Sequence, residues 1–187
     1  AKVLHNRSVE MAKKYGVQLV VRSSLTTAEG TIVKEDVKVE KMLVSGVAAD
    51  KNAARISVIG LKDEPGIAFK LFNLMAKHNI NVDIILQSVG RDGTTDISFT
   101  VSGDDEKEAL SVIKENQDSI TAQKVECEDS IAKISVVGAG MMSNAGVAAK
   151  MFEALYDAGV NIKMISTAEI RVTVIIDEEY VERAMKA

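Results

Sequence analysis

The chain has 187 residues, 47% of them apolar, with 23 basic residues against 27 acidic ones and a formal charge of −4. That is enough apolar content for a core in one domain or two small ones, while interspersed charges of mild negative sum offer no basic face to nucleic acid. A lone cysteine, Cys127, rules out an internal disulfide, and charges break every apolar run well short of the ~18–20 residues that span a membrane. Residues 1–5 have neither an initiator Met nor the apolar core of a secretory signal. The expectation is a cytoplasmic protein, and a chain that is a piece of something longer.

In chain order, residues 8–15 are good helix formers with Val9 and Ala12 on one face, and Gly16 stands where a helix would stop. Residues 17–22 read as a buried strand, 23–30 as a polar loop, and 31–41 as an edge strand alternating Ile32, Val33, Val37 and Val39 with charges. This opening resembles the last crossover of a larger α/β layer. Residues 42–49 form an apolar strand bounded by Asp50-Lys51-Asn52, and 55–61 form the next.

The sequence Asp63-Glu64-Pro65-Gly66 then reads as a tight turn opening a helix at the only proline, with Ile67, Leu71, Leu74 and Met75 as the buried stripe. Asn79 ends that helix. A strand over 80–89 follows, then a Gly90–Gly93 hairpin turn, a strand over 94–101, a helix starting at Asp104 and Asp105, and a closing strand over 121–127. The order β-α-β-β-α-β is the ferredoxin-like arrangement.

From Ile134 the chain repeats itself. Ile56-Ser57-Val58-Ile59-Gly60 matches Ile134-Ser135-Val136-Val137-Gly138, and after a two-residue insertion Gly66, Ala68, Lys70, Phe72, Asn81 and Ile85 recur as Gly146, Ala148, Lys150, Phe152, Asn161 and Ile165. The second copy passes through Thr167-Ala168-Glu169 into a strand over 170–176 and a helix from Asp177-Glu178-Glu179. It has only three of its four strands, and an unpaired edge needs a partner. The strand over 42–49 is the natural candidate, so the two units are expected to be interleaved α+β domains. The predicted organisation is an α/β remnant over 1–35, a linker and completing strand over 36–53, a first unit over 54–130 and a second over 131–187.

The turn before each helix is the candidate site. An uncovered helix N-terminus favours a carboxylate or phosphate, here on the amides of Gly66, Ile67 and Ala68. Asp63 suits an ammonium, so one turn complements both charged groups of a free amino acid; the same residues also read as a plain helix cap. Gly138-Ala139-Gly140 invites a dinucleotide-binding reading, but the next glycine, Gly146, comes three places too late. His5, His78 and Cys127 stand singly, without metal-ligand spacing, and the eight methionines read as core filler. Neither a Ser-His-Asp set nor a Walker-type phosphate loop is present, which argues against catalysis.

Residues 56–60, Asp63-Glu64-Pro65-Gly66, Asn79-Ile80-Asn81-Val82-Asp83 and Asp92-Gly93-Thr94-Thr95-Asp96-Ile97 together resemble the first of the paired ACT domains of the aspartate kinase family. Val160-Asn161-Ile162 and Ile165-Ser166-Thr167-Ala168-Glu169-Ile170 resemble the second, and residues 2–8 are similar to the family's last kinase-domain helix. Asn6 stands where the family usually has proline, and Ser143-Asn144-Ala145-Gly146 lacks the proline common before that glycine.

The resemblance implies a homodimer through ACT domains, with threonine or lysine bound at the interface as feedback effectors of aspartate phosphorylation. Asp63, Gly66, Ile67, Ala68, Asn81, Asp83 and Gln87 would form the first site, and Asn161, Ile162, Thr167, Ala168 and Glu169 its counterpart. It also implies a catalytic kinase domain or subunit as partner, using ATP and Mg, so that no catalytic residue, metal or cofactor and no activity is expected of this chain alone. The alternative is a structural dimerisation module with vestigial sites. A separate regulatory subunit is a third reading, though such chains begin nearer Met42.

Overall fold

A computed structural model of the chain describes residues 4–33, 44–90, 93–138 and 146–187. The chain forms two compact units, Ala1–Lys41 and Met42–Ala187. In the first, helix α1 (Asn6–Tyr15) begins two residues before the expected helix, because the His5 ring accepts a hydrogen bond from the Arg7 amide at its start. It ends at Gly16, whose φ of 62° suits glycine. Strands β1 (Leu19–Val21) and β2 (Thr31–Val33) pair with each other as an antiparallel hairpin. Residues 34–41 of the expected edge strand lie outside the described residues.

The second unit is one six-stranded sheet in the order β4-β5-β3-β6-β8-β7. Its elements are β3 (Gly46–Lys62), α2 (Ile67–Lys77), β4 (Ile85–Val89), β5 (Thr94–Val101), α3 (Glu106–Glu115), α4 (Gln117–Ile120), β6 (Lys124–Val137), α5 (Val147–Asp157), β7 (Met164–Ala168), β8 (Arg171–Asp177), a 3₁₀ turn (Glu178–Tyr180) and α6 (Val181–Lys186). Two ferredoxin-like repeats lie side by side, sharing the long strands β3 and β6. Gly46–Asp50 pairs with Val137–Lys133 and completes the second repeat, whereas Arg55–Ile59 pairs with Glu128–Lys124 in the first.

Interleaving is therefore built from two strands that cross the boundary without breaking. The turn expected at Asp50-Lys51-Asn52 is instead a pair of irregularities in the ladder, with register shifts between Asp50 and Ala53 and between Ala53 and Arg55. Asp50 Oδ1 accepts a hydrogen bond from the Asn52 amide at 3.0 Å, a local bond typical of turns, which is why the tripeptide resembled one.

Each repeat packs its helices on one face of the sheet. Ile56, Val58, Leu61, Leu71, Met75, Phe99, Ile113 and Ile120 form the first core, and Ala132, Ile134, Leu155, Val174 and Ile176 the heart of the second. Phe72 meets Phe99 edge to face at 5.4 Å between ring centroids. A third cluster, Ala53, Ile84, Ile131, Met164 and Ile175, lies at the junction. Under the repeat, Ala53 corresponds to Ile131 and Ile84 to Met164, and Ala53 faces Ile131 across the ladder. The junction is thus a local twofold axis on which both repeats bury equivalent side chains.

Two further expectations shift. The strand expected from Ile80 begins at Ile85: Asn79 adopts a left-handed φ of 56°, and Ile80 donates back to the Met75 carbonyl at 2.9 Å to close α2. The strand expected from Thr121 begins at Lys124, because Thr121 (φ 54°) caps the unforeseen short helix α4. Among the described residues no helix is long and apolar enough to cross a membrane.

Because Ile131 is fully buried between the repeats, Ile131→Ala should lower stability by about 2–5 kcal/mol. In urea titrations followed by circular dichroism, the Met42–Ala187 unit should still unfold in a single transition at lower denaturant. Two separated transitions would show that the repeats do not unfold together.

Candidate functional site

The first turn is set by the end of β3. Asp96 Oδ1 accepts from the Gly60 amide at 2.8 Å, Gly60 has a φ of 69°, and the β3–β5 register slips between Val58 and Leu61. The chain then leaves the sheet with the Asp63 amide donating to the Gly93 carbonyl at 2.9 Å. Nothing local in the sequence marks this role of Asp96, since a side chain bonding an amide 36 residues away leaves no periodicity.

Gly66 is the N-cap of α2 with φ 95°, and Gly146 holds the same place before α5 with φ 104°. Neither helix start has a side-chain cap. Pro65 therefore precedes the cap and does not open the helix as expected; the left-handed glycine makes the bend, and proline stiffens the approach to it. Of the three amides expected to face a ligand, that of Ile67 donates to the Glu64 carbonyl at 3.3 Å. Those of Gly66 and Ala68 remain the candidates for a carboxylate.

Glu64 is answered within the turn. Lys70 and Lys62 each lie 3.1 Å from its carboxylate, and their hydrogen bonds and charge hold its pKa below the ordinary carboxylate value. Asp63 is exposed, and among the described residues no cation pairs with its side chain. Gln87 joins this end: its Nε2 donates to Thr95 Oγ1 at 3.3 Å, and Thr95 lies opposite Leu61 in the ladder.

Asn81 and Asp83 do not. The Asp83 amide donates to the Thr100 carbonyl at 3.0 Å, five residues along β5 from Thr95 and so roughly 17 Å away at the rise of a strand. Asn81, expected in the first site with Gln87, is kept from it because the strand containing Gln87 begins only at Ile85 and the segment before it sits at the junction. There Asp83 pairs with Lys133 of β6 at 2.8 Å.

The second repeat is divided in the same way. Asn161 and Ile162 stand at the junction, Ile162 half-buried against the second core and the next amide, that of Lys163, donating to the Ile175 carbonyl at 2.8 Å. Thr167 and Ala168 pair with Val172 and Arg171 at the far end of β7, and exposed Glu169 lies in the hairpin turn beyond them. Lys163 bridges Glu128 and Asp177, which raise its pKa, and Arg55 Nη2 approaches Glu128 at 2.7 Å.

An apolar cavity of about 390 Å³ lies under α5 and α6, lined by Val47, Ile134, Val136, Met151, Leu155 and Met185, and contains none of the expected site residues. Cys127 donates to Glu106 at 3.5 Å, and burial together with that carboxylate pushes its thiol up to about 11. An un-ionised thiol is a poor nucleophile. Among the described residues no group of three or more His, Cys, Asp or Glu is placed to hold a metal.

The ACT domain family model matches residues 56–117 and 134–187. An aspartokinase of Helicobacter pylori is 47% identical over the whole of this chain, which spans 47%, about half, of that protein's length. A solved structure of aspartokinase alpha and beta subunits is 50% identical, with a TM-score of 0.72 over 76% of this chain and 94% of that one. The ligand-free regulatory subunit of aspartate kinase from Thermus thermophilus is 42% identical, with a TM-score of 0.73 over 77% and 95%.

Two measurements check this geometry. A Cβ on Gly66 would meet nothing within 4 Å, so Gly66→Ala should cost only the backbone strain of a left-handed residue, about 1–2 kcal/mol in thermal denaturation. Lys163 gains its partners on folding, so its folded pKa exceeds the ordinary value of 10.5 and its contribution is full below that pH. The stability difference between wild type and Lys163→Met should therefore shrink as pH rises beyond 10.5.

Proposed function

Because this chain belongs to the ACT-domain family, as the regulatory region of the aspartokinases, we propose that it binds free threonine or lysine between two copies of itself. Occupancy then feeds back on aspartate phosphorylation by a catalytic kinase domain or subunit. The observation that carries this reading is the division of the expected residues. Asp63, Gly66, Ala68 and Gln87 gather at one end of the first repeat, while Asn81, Asp83, Asn161 and Ile162 lie at the junction.

A single amino acid cannot span roughly 17 Å of strand. Both halves contact one ligand only when a second chain brings its junction against the first chain's turn. Strand β4 supplies a surface for that meeting: it is an outer strand of the sheet, and its Ile85, Leu86 and Val89 are exposed, Val89 at 90%. An apolar, unpaired edge of this kind favours association with another chain.

The chemistry of the turn fits the ligand's main-chain groups. The α-carboxylate accepts from the amides of Gly66 and Ala68 at the positive end of α2, and the ammonium faces Asp63. With Glu64 neutralised by its two lysines, Asp63 supplies the charge that selects a zwitterion over a simple anion. Binding at a chain interface acts on a distant active site when affinity differs between the assembly's states. The hydrogen bond from Ile67 to Glu64 favours the second reading, a structural dimerisation module whose turn is only a cap.

Titration calorimetry with threonine and lysine, separately and together, distinguishes the two. Heat of binding is expected with at least one of them, and Asp63→Ala should weaken it roughly tenfold or more by removing a charged hydrogen-bond partner. No heat at millimolar ligand would support the structural module, and unchanged affinity in Asp63→Ala would place the ligand elsewhere.

A further inference from the structure

The ion pairs at the junction cross between the repeats in a regular way. Asp83 and Lys163 occupy equivalent positions, two residues after Asn81 and Asn161, and their amides dock identically on the equivalent residues Thr100 and Ile175. Their side chains are opposite in charge, and each is held by β6: Asp83 by Lys133, and Lys163 by Glu128. Lys133 lies in the part of β6 that opens the second repeat yet grips the first repeat's segment. Glu128 lies in the part that closes the first repeat yet grips the second repeat's segment.

The grips flank a shared plug. The residues following Asp83 and Lys163 are Ile84 and Met164, both buried in the junction cluster with Ile131, which sits between Glu128 and Lys133 on the same strand. The Lys133 side chain is only 11% exposed, and Arg55 and Asp177 complete the charge balance around Glu128 and Lys163. Close-packed side chains transmit displacement and do not absorb it.

We propose that Lys133 and Glu128 act as positioning residues of a single latch, which ties the segment after α2 to the segment after α5 so that displacing one loosens the other. This rests on the proposed effector reading only for its consequence, that occupancy at one repeat alters affinity at the other; the latch itself is testable without ligand.

Hydrogen exchange read by mass spectrometry on the ligand-free chain provides the test. In Lys133→Met, exchange should rise by about fivefold or more, the lower end of coupling between linked sites, both over residues 81–86 and over residues 161–166. Lys133→Arg, which keeps the charge, should restore both segments. A rise confined to 81–86 would overturn the proposal, as would one of equal factor over the whole sheet, which marks a global loss of stability. Should Lys133→Met fail to fold, Asp83→Asn removes the same pair at nearly constant volume and must give the same two-segment pattern. Absence of threonine or lysine binding would remove the consequence but leave this exchange pattern as the decision on the latch.

Discussion

The contact between Ala53 and Ile131 across the centre of the sheet is the constraint on which the rest depends. Both residues occupy the same place in their repeats, and both belong to strands that serve two repeats at once. A strand shared in this way cannot be ordered for one repeat and disordered for the other without exposing Ile131, Ile84 and Met164 together. Burying each large aliphatic side chain is worth on the order of 1.5–3 kcal/mol, so losing the junction cluster would cost several kcal/mol, and it couples the repeats although it is smaller than either helical core. The bulges around Asp50, Ala53 and Arg55 let the ladder pass from one repeat to the other with both sets of helices packed on the sheet.

From this junction the functional geometry follows. The shared strands run outward in opposite directions, so the first helix N-terminus lies at one end of the sheet and the second at the other, with the post-helix segments meeting in the middle. Each helix starts at a left-handed glycine without a side-chain cap. Charge distinguishes the first: Glu64 is neutralised by Lys62 and Lys70, while among the described residues no cation pairs with Asp63. A donor cluster beside a carboxylate complements the two charged main-chain groups of a zwitterion. Under the proposed function a second chain completes this site, which would make dimerisation part of recognition.

Much of the fold was legible in the sequence because its signals are repeated and periodic. Ile67, Leu71 and Met75 mark a helix face by spacing alone, and the match of residues 56–60 to 134–138 revealed both the repeat and its missing strand. Local chemistry misled where tertiary structure overruled it. Asp50-Lys51-Asn52 has turn composition but lies in a strand held by pairing on both sides, and Pro65 looks like a first helical residue because the left-handed bend at Gly66 is invisible in sequence. What the sequence did not reveal is that the expected site residues lie apart, some at the turn and some at the junction. Asn81 is near Gln87 in sequence, yet Asn79 and Ile80 turn the chain back on α2 before the strand begins, and nothing local announces that.

The central claim is that amino-acid binding and association of two chains are one event. Sedimentation equilibrium over a range of chain concentrations, with and without saturating threonine or lysine, tests it most directly, because a ligand held by both chains must tighten their association by mass action. The account predicts a dimer dissociation constant that falls when the effector is present. An association constant unchanged at saturating ligand would contradict it.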